Sequence, residues 1–100
     1  RLAALALLGV AAPLAAQPYA YVPNNNSNNV SVINTATNTV ADTIAGVPCG
    51  RAVAVHPASQ RAYVTNGCNH RLEVIDTNTN TLLAPLPVNG QNPGAVAVNA

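Results

Sequence analysis

From Tyr19 onward the chain alternates apolar and polar positions over short stretches, and turn-forming residues separate them. Ala52–His56 (AVAVH), Arg61–Asn66 (RAYVTN), Arg71–Asp76 (RLEVID) and Thr81–Pro87 (TLLAPLP) form one such series. Short runs rich in Val, Ile, Thr and Tyr at a period of two read as β-strands rather than helices. The connections carry turn chemistry. HPASQ (56–60) reads as a Pro-containing hairpin turn. NTATNT (34–39) and DTNTNT (76–81) place Asn or Asp where the chain must reverse. Asn38 and Asn80 are the expected left-handed positions, because Asn tolerates positive φ better than other non-glycine residues. Asn34 and Asp76 are placed to close their turns with side-chain oxygens. The threonines fit exposed strand faces.

The same line is written twice. Ala20–Val40 and Ala62–Leu82 are identical at 10 of 21 positions at an offset of 42. Most differences are conservative, such as Val30/Leu72, Asn34/Asp76 and Val40/Leu82. The echo continues as AVAVHP (52–57) and AVAVNA (95–100), offset by 43 after a one-residue insertion. Self-similarity near this period, with an internal period of two, is what four-stranded propeller blades produce. The expected fold class is therefore all-β, a β-propeller fragment of four-stranded antiparallel blades. Three strands of one blade are expected over 20–46, a complete blade over 51–88, and the first strand of a further blade over 94–98. A blade buries its faces only against neighbours, and about three repeats are the minimum for stability. The chain opens on Arg1 rather than Met and stops after a Val-Ala-Val run, so the array is expected to continue.

Residues 1–18, RLAALALLGVAAPLAAQP, follow a different pattern: an apolar run behind a single positive charge, with a small-residue exit. That is the shape of a helical signal peptide with its basic start clipped, spanning 1–16 and cleaved after Ala16, with Leu14 at the −3 position. Two other readings remain open. Ala and Leu also favour a buried helix. A transmembrane anchor is the third reading, although the run falls short of the roughly 20 residues a spanning helix needs. The part expected to remain after cleavage is 17–100.

Composition narrows the function classes. The formal charge is +1, supplied by Arg1; beyond Gln17 three arginines face three acids, and there is no lysine. Such a chain lacks the electrostatic footprint for nucleic acid or an anionic membrane surface. No membrane insertion is expected once the leader is removed. Phe, Trp and Met are absent, so the core must be built from Val, Ile, Leu and Ala.

YVTN at 63–66, followed by LEVIDTNTNTL (72–82) and preceded by AVAVHP (52–57), resembles the YVTN-type β-propeller repeat; the other copy reads YVPN (21–24). The resemblance covers residues 20–100. It implies a secreted, periplasmic or cell-surface protein, in many cases a seven-bladed propeller. Residues 57–60 depart from the pattern, where a Pro-Asp-Gly-like turn is common. The family has no single activity, so the resemblance implies no particular reaction.

Cys49 and Cys68 are the sharpest site expectation. If the hairpin turns at Ala58-Ser59, His56 pairs with Arg61, Ala54 with Tyr63 and Ala52 with Thr65. Continuing that register brings Cys49 opposite Cys68, at a separation a disulfide can bridge. Export favours oxidation. A metal site, a catalytic thiol and unpaired packing are the other readings; for a metal, His70 lies near Cys68 but further ligands are not evident. No metal and no cofactor are expected. His56, before Pro57, reads as a surface turn residue. Arg51, Asn69, His70 and Asn92 fall in loops expected on one face, as a shared binding rim or as solvated loop residues. Glu73, out of phase with Val74, is expected to face solvent beside Arg71. No carboxylate pair, Ser/His/Asp set, phosphate loop or HExxH stands in the sequence, so no catalytic residue is named.

These readings favour an exported binding or scaffold module, periplasmic, cell-surface or extracellular, presenting its rim to a protein or polysaccharide partner at the cell envelope. The alternative is part of a propeller enzyme, lactonase-, lyase- or quinoprotein dehydrogenase-like, with its catalytic residues in other blades. A decayed repeat behind an export leader is the third possibility. The residues of this chain lean away from an enzyme.

Overall fold

The structure, a computed structural model, describes residues 18–99. The leader expected over 1–16 lies outside them. The described part is all-β. Strands β1 (Tyr19–Asn24), β2 (Asn29–Asn34) and β3 (Thr39–Ala45) form one antiparallel sheet in the order β1-β2-β3. Strands β4 (Gly50–His56), β5 (Arg61–Asn66), β6 (Arg71–Asp76), β7 (Thr81–Leu82) and β8 (Leu86–Pro87) form the second. Its order is β4-β5-β6-β7, with β8 also pairing with β6. The fourth strand expected over Thr81–Pro87 is thus two short pieces on one partner. Pro85 offers no N–H to the ladder. The Leu83 amide still reaches the Val74 carbonyl at 2.7 Å, so the pieces stay aligned.

Local chemistry sets the turns. Asn34 Oδ1 accepts the Ala36 amide and Asp76 Oδ1 accepts the Asn78 amide, both at 2.9 Å. Asn38 and Asn80 take φ of 57° and 56°, closing the two copies of the turn alike. The hairpin at 57–60 is a turn of 3-10 helix, Pro57–Ser59, closed by Gln60 at φ 57°. His56 sits at its start, with Nδ1 2.7 Å from Ser59 Oγ.

The core lies between the two sheets. Tyr21, Val30, Val32 and Ile44 come from the first, Ala62, Val64 and Ile75 from the second, and Val47 from the linker between them. Tyr19, Val53 and Leu82 pack against this cluster from its edges. Every side chain of this apolar cluster is aliphatic or tyrosine, as a chain without Phe, Trp or Met requires.

Residues 93–99 form no strand ladder. An extended segment becomes a strand only when a neighbour accepts its hydrogen bonds. The segment is tied to the second sheet by a bond from the Thr65 hydroxyl to the Gly94 carbonyl at 2.7 Å.

Candidate functional site

The four residues Tyr63-Val64-Thr65-Asn66 and their counterparts Tyr21-Val22-Pro23-Asn24 position the loops above them. Tyrosine reaches across to the next sheet: the Tyr21 hydroxyl donates to Asn80 Oδ1 at 2.7 Å. Burial, with the neighbouring Tyr19 and Asp76 adding to it, pushes its phenol up to about 12. Valine fills the core, with Val64 fully buried. Threonine joins segments. Thr65 Oγ1 accepts the Ala52 amide at 3.1 Å while donating to Gly94. The Ala52 amide needs this acceptor because the β4–β5 register shifts between Gly50 and Val53. Pro23 stands at the equivalent place in the first copy and packs instead on Gly50, where an added Cβ would lie 2.9 Å from Pro23 Cβ.

Asparagine builds the loop. Asn66 Oδ1 accepts the Cys68 and Asn69 amides at 3.1 and 2.9 Å, which shapes the β5–β6 turn. Its Nδ2 donates to Glu73 Oε2 at 2.8 Å, and Arg71 Nε donates to the same oxygen at 2.7 Å. Glu73 is 2% exposed, which corrects the expectation that it faces solvent. Alternation marks a solvent face only when one side of a sheet is wet, and here the Glu73 side packs toward the first sheet. In the first copy Ser31 takes the place of Glu73 and accepts from Asn24 Nδ2 at 2.8 Å.

The loops so formed meet at one edge. Cys49, in the linker at φ 55°, is joined by a disulfide to Cys68 in the β5–β6 turn, with their Cα atoms 5.5 Å apart. Beside it the Gly67 amide donates to the Cys49 carbonyl at 3.1 Å. Gly67 is buried under two side chains: a Cβ there would lie 2.9 Å from Asn92 Oδ1 and 3.0 Å from Arg51 Nε. The Asn92 amide donates to His70 Nδ1 at 2.9 Å, which puts the proton of a neutral ring on Nε2. Arg51, His70 and Asn92 therefore converge from three segments: the start of β4, the β5–β6 turn, and the linker after β8. Asn69 sits to one side of them. With His70, Arg71, Pro85, Leu86 and Pro87 it lines a cavity of about 270 Å3.

Charge is uneven along this edge. Arg71 is paired with Glu73, and at the opposite end of β5 and β6 Arg61 lies 3.9 Å from Asp76. Among the described residues Arg51 has no carboxylate within salt-bridge reach, and its side chain is exposed. Asn69, His70 and Asn92 are exposed as well. The rim thus offers one uncompensated cation flanked by amide and imidazole donors. Among the described residues no three His, Cys, Asp or Glu side chains gather as metal ligands would. Hydrophobic alternation could not signal Gly67; its only trace in the sequence is the absence of a side chain where two loops cross.

No family model matches the chain, and no curated protein matches it. Solved structures do. Hydrazine synthase from Kuenenia stuttgartiensis superposes with a TM-score of 0.75 at 21% identity, over 81% of this chain and 23% of that one. Apo AztD from Citrobacter koseri gives 0.66 at 18% identity, over 77% and 22%. A second AztD structure from the same organism gives 0.65 at 17% identity over the same shares. The chain spans about a quarter of the length of the solved chains it matches. Likeness at these identities carries the fold and nothing further: the two sheets are consecutive blades of a β-propeller.

Proposed function

We propose that this chain belongs to an exported β-propeller of the YVTN-repeat type. Its loop rim binds an acidic partner, a protein or a polysaccharide at the cell envelope. The observation that carries the reading is the convergence of Arg51, His70 and Asn92 over Gly67. Three segments far apart in sequence are drawn together there, and the Cys49–Cys68 bond fixes two of them. Arg51 has no carboxylate of this chain to neutralise it among the described residues. A guanidinium with its fork free recognises carboxylates in bidentate geometry. The disulfide supports an oxidising compartment. Loops on a rigid β scaffold are where such proteins place recognition.

The test is binding of the purified protein to an immobilised polyuronate and to a neutral glucan of similar length, alongside an acidic protein. The acidic ligands should be retained, the neutral one should not, and retention should fall with salt. Arg51→Gln should weaken binding about tenfold or more, since bonds to a charged group contribute about 1.5–3 kcal/mol each. Equal binding by Arg51→Gln and the parent would overturn the reading.

A further inference from the structure

The rim carries a covalent bond that its turn does not need. At the repeat offset Asn26 stands where Cys68 is, and the first copy closes its turn without a cysteine. Both turns end on a left-handed residue, Asn28 at φ 59° and His70 at φ 54°. In the second copy Asn66 Oδ1 already holds the Cys68 and Asn69 amides. What the disulfide adds is a tie from the linker to the turn. Cys49 is joined to the turn by two links, the disulfide and the bond from the Gly67 amide to its carbonyl. It also holds a φ of 55°, a conformation unfavourable for a cysteine. Arg51 follows in the stretch where the β4–β5 register shifts, between Gly50 and Val53, so no ladder pair fixes it.

The bond is also reachable. Cys68 is exposed and Cys49 half-buried. The counterpart turn, residues 25–28, is exposed although the second blade follows it. A following blade thus leaves such a turn open to solvent. Arg51 is two residues from Cys49 and lies over Gly67, the neighbour of Cys68. Its charge favours the thiolates through which disulfide exchange proceeds.

We infer that Cys49–Cys68 is a site of thiol–disulfide exchange with a dithiol, and that its reduction opens the rim, a regulation that rests on the rim's proposed binding of an acidic partner. One thiolate of the dithiol attacks the exposed Cys68 sulfur. The S–S bond breaks, and Cys49 leaves as a thiolate that takes up a proton. The second thiol of the dithiol then displaces Cys68. The dithiol is oxidised to a disulfide, and its two electrons and two protons end on the two cysteines. Cys49 keeps only its hydrogen bond from Gly67, its left-handed conformation relaxes, and Arg51 loses its place over Gly67. The oxidised rim binds and the reduced rim releases.

The experiment compares the oxidised protein, the protein held reduced in dithiothreitol, and the protein reoxidised. Reduction should weaken retention on the immobilised polyuronate about tenfold, and reoxidation should restore it. A Cys49→Ser, Cys68→Ser double variant should bind like the reduced protein and ignore dithiothreitol. A second readout needs no ligand. Hydrogen exchange at the Gly67 amide should quicken about tenfold or more on reduction, while the Asn38 and Asn80 amides, in turns without a cysteine, exchange as before. Circular dichroism should stay that of a folded β protein throughout. An oxidised parent that ignores the polyuronate overturns the rim's proposed binding alone, and Gly67 exchange still decides the redox opening. Unchanged exchange at Gly67, polyuronate binding undiminished by reduction, or loss of the β signal on reduction would each overturn the inference.

Discussion

The hydroxyl of Tyr21 in the first blade lies 2.7 Å from Oδ1 of Asn80 in the second, 59 residues further along the chain. It is a polar clasp over an otherwise aliphatic interface. Tyr21→Phe keeps the ring in the core and removes the donor. It should lower stability by about 1 kcal/mol, measured as a drop in urea midpoint with an unchanged slope.

The same phenol gives the fold an alkaline limit. Its pKa is raised to about 12 by burial, with Tyr19 and Asp76 adding to it, while the unfolded value is about 10. The folded state therefore holds its proton where the unfolded chain has lost it. This contribution is intact below about pH 10 and is lost progressively as pH rises toward 12. Urea midpoints at pH 9, 10 and 11 should fall for the parent and fall less steeply for Tyr21→Phe.

The Cys49–Cys68 bond closes a loop with a sequence separation of 19. In the chain-entropy account such a bond contributes about 3 kcal/mol through the unfolded state. A Cys49→Ala, Cys68→Ala double variant should unfold at correspondingly lower urea. Dithiothreitol should lower the parent to the same midpoint and leave the variant unmoved.

Glu73 separates a structural role from a charged one. Its Oε2 accepts from both Asn66 and Arg71. Glu73→Gln keeps an oxygen acceptor and should cost about 1 kcal/mol, while Glu73→Ala strands the Asn66 amide and should cost about 2–3 kcal/mol. Arg71 is partly exposed, with a side-chain exposure of 38%, so water can take up its charge and the cost stays below that of a fully buried pair. Thermal melts of the two variants rank the effects.

Two glycines should respond differently to alanine. At Gly50 an added Cβ meets Pro23 Cβ, a stiff ring, at 2.9 Å. Gly50→Ala should therefore destabilise by about 1–3 kcal/mol, in the range of overpacking. At Gly67 the added atom meets the ends of Asn92 and Arg51, which can swing away. Gly67→Ala should melt close to the parent yet bind the polyuronate more weakly, because it moves the rim rather than the core.

Much of this was legible in the strand pattern. The register that pairs His56 with Arg61 and Ala54 with Tyr63 is present, but it shifts between Val53 and Gly50, so the expected Ala52–Thr65 pair is replaced by a bond from the Ala52 amide to the Thr65 hydroxyl, and Cys49 and Cys68 are joined beyond that shift. Asn38 and Asn80 could be assigned to left-handed turns because Asn accepts that conformation. Cys49, Gln60 and His70 adopt it too, and nothing in their side chains announces it; closure of the turn imposes it. The register shift near Ala52 was hidden for a similar reason, since a bulge leaves alternation on either side unchanged. Glu73 was misread because a blade has two covered faces, so phase along the strand no longer separates core from solvent. Convergence at the rim was visible only as shared loop position; the contacts over Gly67 required coordinates.

The bond from Thr65 to Gly94 and the clasp from Tyr21 to Asn80 both run forward along the chain. Each unit is therefore fastened by residues made after it. On the ribosome, where synthesis runs from the N-terminus, the first blade waits for the turn around Asn80 before it can lock. Nascent chains stalled before that turn emerges should be cut readily by protease within Tyr19–Ala45, and chains stalled well beyond it should resist. Order of synthesis thus becomes order of locking, and a pause in translation between the two copies would leave an apolar sheet exposed for as long as the pause lasts.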